Sequence, residues 1–166
     1  MEHKNSAEFG NQEEEERNRR YLTFWTDSQL YGISTEDVIQ IVGMQKITGM
    51  PGYPYYVKGV ASLRGEVFPL IDVRLRMGRE AIEYHDRTCI ILVKTRERSF
   101  GLIVDSVEEV IDIEQEQITY PPHIKEAGKD DYVEGIVQLQ SGQLKKERMI
   151  LIVNVVKLLG REIAGS

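Results

Sequence analysis

Short runs of apolar residues recur along the chain and predict β-strands. Residues 21–25 and 99–105 alternate between apolar side chains on one face and other side chains on the opposite face. Residues 88–93 and 148–153 are almost continuously apolar, which is typical of strands covered on both faces. Many short strands with little helical periodicity predict a mainly β fold of small barrels or sandwiches.

One predicted strand carries a proline. The run 66–73 is apolar but contains Pro69. Because proline has no N–H for the ladder, we expect this strand to lie at a sheet edge or to be bulged at that point.

The chain also predicts short helices with recognisable ends. In 72–78 the helix would begin after Asp72 and end at Gly78, and in 154–160 it would begin after Asn154 and end at Gly160. Residues 35–42 fit either one or two helical turns capped by Thr35 or a continuing strand.

The pattern repeats. Residues 21–42 align with 90–111 without a gap, and shorter matches join 56–60 to 132–136 and 71–78 to 153–160. The order of elements is the same in each half, with approximate repeats over 20–84 and 85–161. A single copy of this size would have a marginal core. We therefore expect two packed β units separated by a cleft, between which strands can be exchanged.

Composition limits the class of protein. The chain has 166 residues, 41% of them hydrophobic and 29% charged, with a net charge of −6. An acidic body without a basic stripe argues against nucleic acid as a partner.

The apolar runs are too short to span a membrane, the N-terminus lacks the apolar core of a signal peptide, and the one cysteine, Cys89, cannot form a disulfide within the chain. These features favour a cytoplasmic protein without membrane insertion. Residues 1–19 form a polar, acidic segment that we expect to be disordered.

Catalytic and metal-binding patterns are scarce. The three histidines are scattered without metal-ligand spacing, and the acids clustered in 107–117 are best explained as a solvated face. We therefore expect no enzyme activity, no metal and no cofactor.

A tight turn places one arginine between two strands. Arg64 and Gly65 separate apolar runs, and Gly65 can adopt a left-handed conformation. A stiff turn would hold the guanidinium as a fixed fork of donors for a partner. Arg64 could equally cap its own turn or pair with an acid of the same chain, and the local sequence leaves the two explanations open.

The segment YVKGVASLRGEVFPLIDVRLRMG (56–78) strongly resembles the signature of CheW-like domains, in which a G-V-x-N-L-R-G-x-x-x-P-V-I-D-L-R run is typical. The resemblance extends over about residues 20–160. It implies two packed SH3-like five-stranded β-barrels with short helices, and a non-enzymatic adaptor of bacterial chemotaxis. The implied partners are the cytoplasmic helical hairpin tip of chemoreceptors and the regulatory domain of the histidine kinase CheA.

Carried over by motif, the resemblance places receptor contacts on six residues and structural roles near the site on three glycines. The contacts are Val38, Ile39, Gln40, Arg64, Val107 and Val110, and the glycines are Gly59, Gly65 and Gly101. Gln40 replaces an acid often found in the family, and Ser62 replaces an asparagine but could still form a hydrogen bond in the turn. The alternative function is another SH3-like peptide-binding scaffold, such as a fragment of a CheV-like protein.

Overall fold

The structure is a computed structural model that describes residues 18–121, 131–141 and 146–160. Those residues form eleven strands, two short α-helices and two 3-10 turns, at Thr35–Asp37 and Gln115–Gln117. The helices are α1 (Val73–Arg76) and α2 (Val155–Leu159). The strands are β1 (Asn18–Thr26), β2 (Gln29–Ser34), β3 (Val38–Gly43), β4 (Val57–Leu63), β5 (Glu66–Asp72), β6 (Cys89–Lys94), β7 (Ser99–Val104), β8 (Ser106–Glu114), β9 (Ile118–Thr119), β10 (Val133–Ser141) and β11 (Lys146–Val153).

The strands form two sheets. The six-stranded sheet has the order β8-β1-β2-β11-β10-β9, and the five-stranded sheet has the order β3-β6-β7-β5-β4. Each sheet therefore takes strands from both halves of the chain. This architecture confirms the predicted mainly β fold.

The internal repeat is visible in the strand pairing. In the five-stranded sheet β5 runs parallel to β7, with Leu70 opposite Gly101. In the six-stranded sheet β11 runs parallel to β2, with Ile152 opposite Gly32. These pairs are equivalent in the sequence repeat, so the two sheets are built on the same plan.

Apolar side chains form three clusters. One cluster belongs to the six-stranded sheet and includes Tyr21 and Ile150, and one belongs to the five-stranded sheet and includes Phe68 and Ile90. The third, called here the central cluster, contains residues of both sheets and of both α-helices, namely Leu22, Phe24, Tyr31, Ile33, Val57, Ile71, Val73, Ile91, Val93, Phe100, Leu102, Val104, Val153, Val155, Leu158 and Leu159. Burying this surface joins the two sheets into one folded unit.

An arginine of α1 also joins the halves. The guanidinium of Arg76 lies over the rings of Tyr56 and Tyr132, with its central carbon 5.3 and 5.4 Å from their centroids. Its Nε donates a hydrogen bond of 2.6 Å to the carbonyl of Leu158 in α2. Tyr56 and Tyr132 are equivalent in the repeat, so one cation bridges matching positions of both copies.

The predicted helices at 72–78 and 154–160 are confirmed, with Gly160 as the C-cap of α2 and Met77, one residue before Gly78, as the C-cap of α1. The Asp72 carboxylate accepts a hydrogen bond from the N–H of Leu75, and the Asn154 side chain accepts one from the N–H of Lys157. In 35–42 the prediction of Thr35 as the cap is wrong. Ser34 accepts the capping hydrogen bond, and a single 3-10 turn is followed directly by β3.

The prediction for Pro69 is also wrong, because β5 lies inside the sheet between β4 and β7, and the irregularity in its pairing with β4 falls opposite Leu70 and Ile71 and not at Pro69. Pro69 is opposite Val60, whose N–H and C=O bond to Thr48 instead, at 2.8 and 2.9 Å. The pair therefore needs no proline N–H on the β4 side. On the other side, pairing with β7 begins only at Leu70.

The boundary predicted at residue 19 is displaced by two residues. β1 begins at Asn18, which pairs with Glu114, so residues 18 and 19 belong to the sheet. Residues 1–17 lie outside the described residues. In the described ranges, the helices are too short to cross a membrane.

Candidate functional site

Two equivalent edge strands carry five of the six predicted contact residues. β3 and β8 each lie at the edge of a sheet and occupy matching positions in the repeat. Val38 of β3 pairs with Val93, and Val107 of β8 pairs with Phe24. Val38 and Val107 are both half-buried and pack against the central cluster. The structure therefore brings both valines to the junction between the sheets.

The neighbours of Val38 point outward. Strand pairing is irregular between Val38 and Gln40, which leaves Ile39 as the extra residue, and its side chain is 49% exposed. Gln40 is half-buried, and Ile41 is exposed like Ile39. β3 thus presents a neutral, largely apolar surface to solvent.

On β8 the exposed apolar residue is Val110, which pairs with Leu22 and is 54% exposed. The start of this strand lies beside the five-stranded sheet, because Val107 and Cys89 of β6 both pack against the central cluster. Burial raises the pKa of the Cys89 thiol. Cys89 is half-buried and packs beside the central cluster as a small apolar side chain would.

Arg64 occupies a strained two-residue turn. Leu63 pairs with Glu66, and the residues between them have positive φ angles, 53° for Arg64 and 84° for Gly65. Two consecutive left-handed residues define a type I′ turn, for which Asn-Gly is the usual choice. The arginine is exposed and forms no hydrogen bond or ion pair with any residue in the described ranges. This favours a contact with a partner over a role as a brace of the turn.

Two of the three predicted glycines allow close packing. A Cβ on Gly59, whose φ is 145°, would collide with the carbonyl of Thr48. A Cβ on Gly101 would collide with the side chain of Leu70 and lie 2.9 Å from Ile90. Gly65 has open space around it and is needed only for its backbone angle.

Strand directions show which predicted residues share one end of the five-stranded sheet. β3 begins beside the end of β6, because Val38 pairs with Val93. β5 runs parallel to β7, so the Arg64 turn that precedes β5 lies at the same end as the turn between β6 and β7. Val38, Ile39 and Arg64 therefore lie at one end of this sheet, whereas Val107 and Val110 lie on the other sheet.

The same end carries three cations that sequence reasoning missed. Lys94 ends β6, and Arg96 and Arg98 lie in the following turn, all exposed. Together with Arg64 they form what is called here the basic end. The signal was present in the turn sequence T-R-E-R-S, where Arg96, Arg98 and the preceding Lys94 lie within five positions of a chain that is acidic overall.

At the corresponding end of the six-stranded sheet the side chains bond to one another. Trp25 Nε1 donates a 2.7 Å hydrogen bond to the carboxylate of Glu108, which also accepts one of 3.2 Å from Arg148. The hydrogen bond from Trp25 is the main reason that the pKa of Glu108 is lowered. These contacts were also not predicted from the sequence. They pair the polar side chains at that end with one another, so those groups are not left for a partner.

A cavity of about 190 Å³ lies in the six-stranded sheet, and the predicted contact residues do not line it. Its lining is Arg19, Tyr21, Ile113, Gln115, Ile118, Tyr120, Glu134, Gly135 and Ile152. In the described residues no group of three His, Cys, Asp or Glu side chains is placed to hold a metal ion.

Comparisons with known proteins point to one family. A family profile of the CheW-like domain matches residues 20–162. The chemotaxis protein CheW of Klebsiella aerogenes is 31% identical over 144 residues, covering 87% of this chain and 83% of that protein. The CheW of Bacillus subtilis is 31% identical over 147 residues, covering 89% and 90%. The crystal structure of the scaffolding protein TtCheW from Thermoanaerobacter tengcongensis matches with a TM-score of 0.69 and 32% identity, covering 82% of this chain and 88% of that chain. With the repeat, the two sheets and the signature segment, these matches show that the chain belongs to the CheW-like domain family.

Proposed function

We propose that the chain is a non-enzymatic adaptor that couples chemoreceptors to the histidine kinase CheA in bacterial chemotaxis. Its relatives are chemotaxis proteins, and the solved structure it resembles is of a scaffolding protein. The adaptor would act in the cytoplasm, held at receptor arrays by protein contacts. Its partners would be the helical hairpin tip of the receptor and the regulatory domain of CheA.

The observation that carries the proposal is that Arg64 is exposed and has a left-handed backbone conformation. A non-glycine residue in the left-handed region costs about 1–2 kcal/mol relative to its ordinary backbone angles. Such strain is usually retained where it serves a function. Asp27 and Ser28 in the turn between β1 and β2 are also left-handed, and there the Asp27 carboxylate accepts a 2.6 Å hydrogen bond from Arg79 within the protein. The Arg64 side chain is exposed and forms no ion pair in the described ranges, so its contribution to folding does not explain the cost.

The proposed receptor contact combines the two edge strands with this turn. Val38 and Val107 lie at the junction of the sheets, and Ile39 and Val110 add exposed apolar surface on either side. An apolar surface of this kind suits one face of an amphipathic helix. Gln40 would contribute a neutral hydrogen-bonding group where many relatives have an acid.

A matched pair of substitutions tests the proposed contact. Val110 and Val156 are both 54% exposed, but only Val110 lies on β8. We expect Val110→Glu to weaken binding of a receptor tip fragment by about tenfold or more, because the contact would bury an unpaired carboxylate. Val156→Glu, on α2, should leave that affinity unchanged. Isothermal titration of both variants measures the difference, and equal affinities would contradict the proposed contact.

A further inference from the structure

The four cations of the basic end have no ion-pair partner in the described part of the chain. Arg64, Lys94, Arg96 and Arg98 are exposed, and the ion pairs of the described residues involve other arginines. The acids on the same turns are Glu66 and Glu97. Lys94 and the two turns therefore carry a net charge of +2, four cations less two acids, in a chain whose total charge is −6, and Glu36 and Asp37 lie beside them just before β3.

The repeat provides an internal comparison for three of these cations. The residues equivalent to Lys94, Arg96 and Arg98 are Trp25, Asp27 and Gln29. All three bond within the protein: Trp25 donates to Glu108 at 2.7 Å, Asp27 accepts from Arg79 at 2.6 Å, and Gln29 donates to the carbonyl of Met149 at 2.8 Å. One copy thus satisfies its polar groups at this end, and the other presents cations to solvent.

The basic end also borders exposed apolar surface. Ile39 is the bulged residue at the start of β3, next to Val38, which pairs with the residue preceding Lys94. Its equivalent in the other half is Glu108, which bonds to Trp25 and Arg148. Burial raises the pKa of Asp37 nearby, and Lys94 opposes this rise without forming an ion pair. An apolar residue therefore lies beside a cationic rim.

We propose that the basic end, with Ile39, is the part of the receptor contact that recognises an acidic amphipathic helix, whose carboxylates lie against Arg64, Arg96 and Arg98. This inference rests on the proposed function. It adds that the partner helix is acidic and that the basic end of the five-stranded sheet binds it. Complementary charge would orient the receptor hairpin, because the equivalent end of the other sheet presents no matching set of cations in the described residues. It would also speed association at low salt.

Charge reversal in the turn between β6 and β7 tests the inference. Arg96→Glu/Arg98→Glu changes the net charge by −4 and leaves the hydrogen bond from Thr95 N–H to the Arg98 carbonyl, which uses backbone atoms only. The matched control is Lys46→Glu/Lys58→Glu, which makes the same change at exposed positions away from the basic end. The probes are a receptor hairpin tip fragment and the same fragment with its exposed carboxylates changed to amides. Thermal denaturation checks that both variants are folded.

We expect the Arg96/Arg98 variant to lose about tenfold or more in affinity for the native tip fragment and to show a weaker salt dependence than the parent. The Lys46/Lys58 control should stay within about twofold of the parent. The amide fragment should bind the parent and the Arg96/Arg98 variant alike. Equal losses in both double variants would overturn the inference and leave the proposed function standing. A native chain that binds neither fragment would overturn both the inference and the proposed function. If the native chain binds anionic lipid vesicles and the Arg96/Arg98 variant does not, the basic end contacts a membrane surface and the inference is overturned.

Discussion

Replacing Arg64 by asparagine should raise the stability of the protein and lower its affinity for the receptor. The native turn holds Arg64 at a φ of 53° ahead of Gly65 at 84°. Asparagine is the residue that type I′ turns favour at this position, because its short polar side chain tolerates the left-handed region. The arginine has no ion-pair or hydrogen-bond partner in the described residues that the change would remove.

The expected gain in stability follows from the backbone strain at Arg64. Relieving part of a left-handed penalty of about 1–2 kcal/mol should raise the free energy of unfolding by about 0.5–1 kcal/mol. For a domain of this size that corresponds to an increase of about 2–4 °C in the melting temperature at the upper end. Affinity should change in the opposite direction, because an arginine fork at an interface can contribute about 2 kcal/mol, or about 30-fold in Kd.

The assay compares urea denaturation midpoints with the affinity for a receptor tip fragment. Arg64→Lys keeps the charge and the backbone strain, so it should leave stability unchanged but bind nearly as poorly as Arg64→Asn, since an ammonium cannot replace the fork. Ser28→Gly is the control, because Ser28 has a φ of 61° in the turn between β1 and β2, and glycine there should stabilise the fold without affecting binding. Loss of stability in Arg64→Asn with affinity unchanged would show that Arg64 braces its own turn, which would refute the reasoning.

Three further predictions concern stability and are checked by urea denaturation. Thr26→Val should stabilise the protein by about 1 kcal/mol, because the Thr26 hydroxyl is buried without a partner in the described residues; a loss would reveal a bound partner. Tyr84→Phe should cost about 1.5–3 kcal/mol, because it removes a 2.9 Å hydrogen bond to the buried Asp72 carboxylate; no loss would mean that water replaces the phenol. Arg74→Met should cost about 2 kcal/mol by leaving the Asp105 carboxylate without its cation, with only the N–H of Asp27 as donor, and the double change with Asp105→Leu should recover about half of it; no recovery would mean that the packing of Arg74 or the bond from Asp27 dominates.

Features that depend on neighbouring residues were predictable from the sequence. The caps at Asp72 and Asn154 follow from a polar side chain placed just before a short apolar helix. The repeat also predicted that Val38 and Val107 are equivalent, and the structure places them in matching positions beside the central cluster.

Features that depend on distant residues were not predictable. Pro69 is tolerated inside a sheet because its pair with Val60 needs no proline N–H and because pairing with β7 begins only at Leu70, and nothing near Pro69 in the sequence signals this. The basic end joins two turns that are about 30 residues apart in the chain and become neighbours through the parallel pairing of β5 and β7. The contact of Trp25 with Glu108 likewise spans 83 positions.

The central claim is that the chain couples two partners, so the most direct measurement is a three-component sedimentation. Membranes carrying chemoreceptor are mixed with CheA and increasing amounts of the chain, and the CheA recovered in the pellet is measured. The account predicts that CheA sediments in proportion to the chain until receptor sites are filled, and that Arg64→Asn abolishes most of this recovery while remaining fully folded. CheA that sediments equally without the chain, or a chain that sediments without bringing CheA, would contradict it.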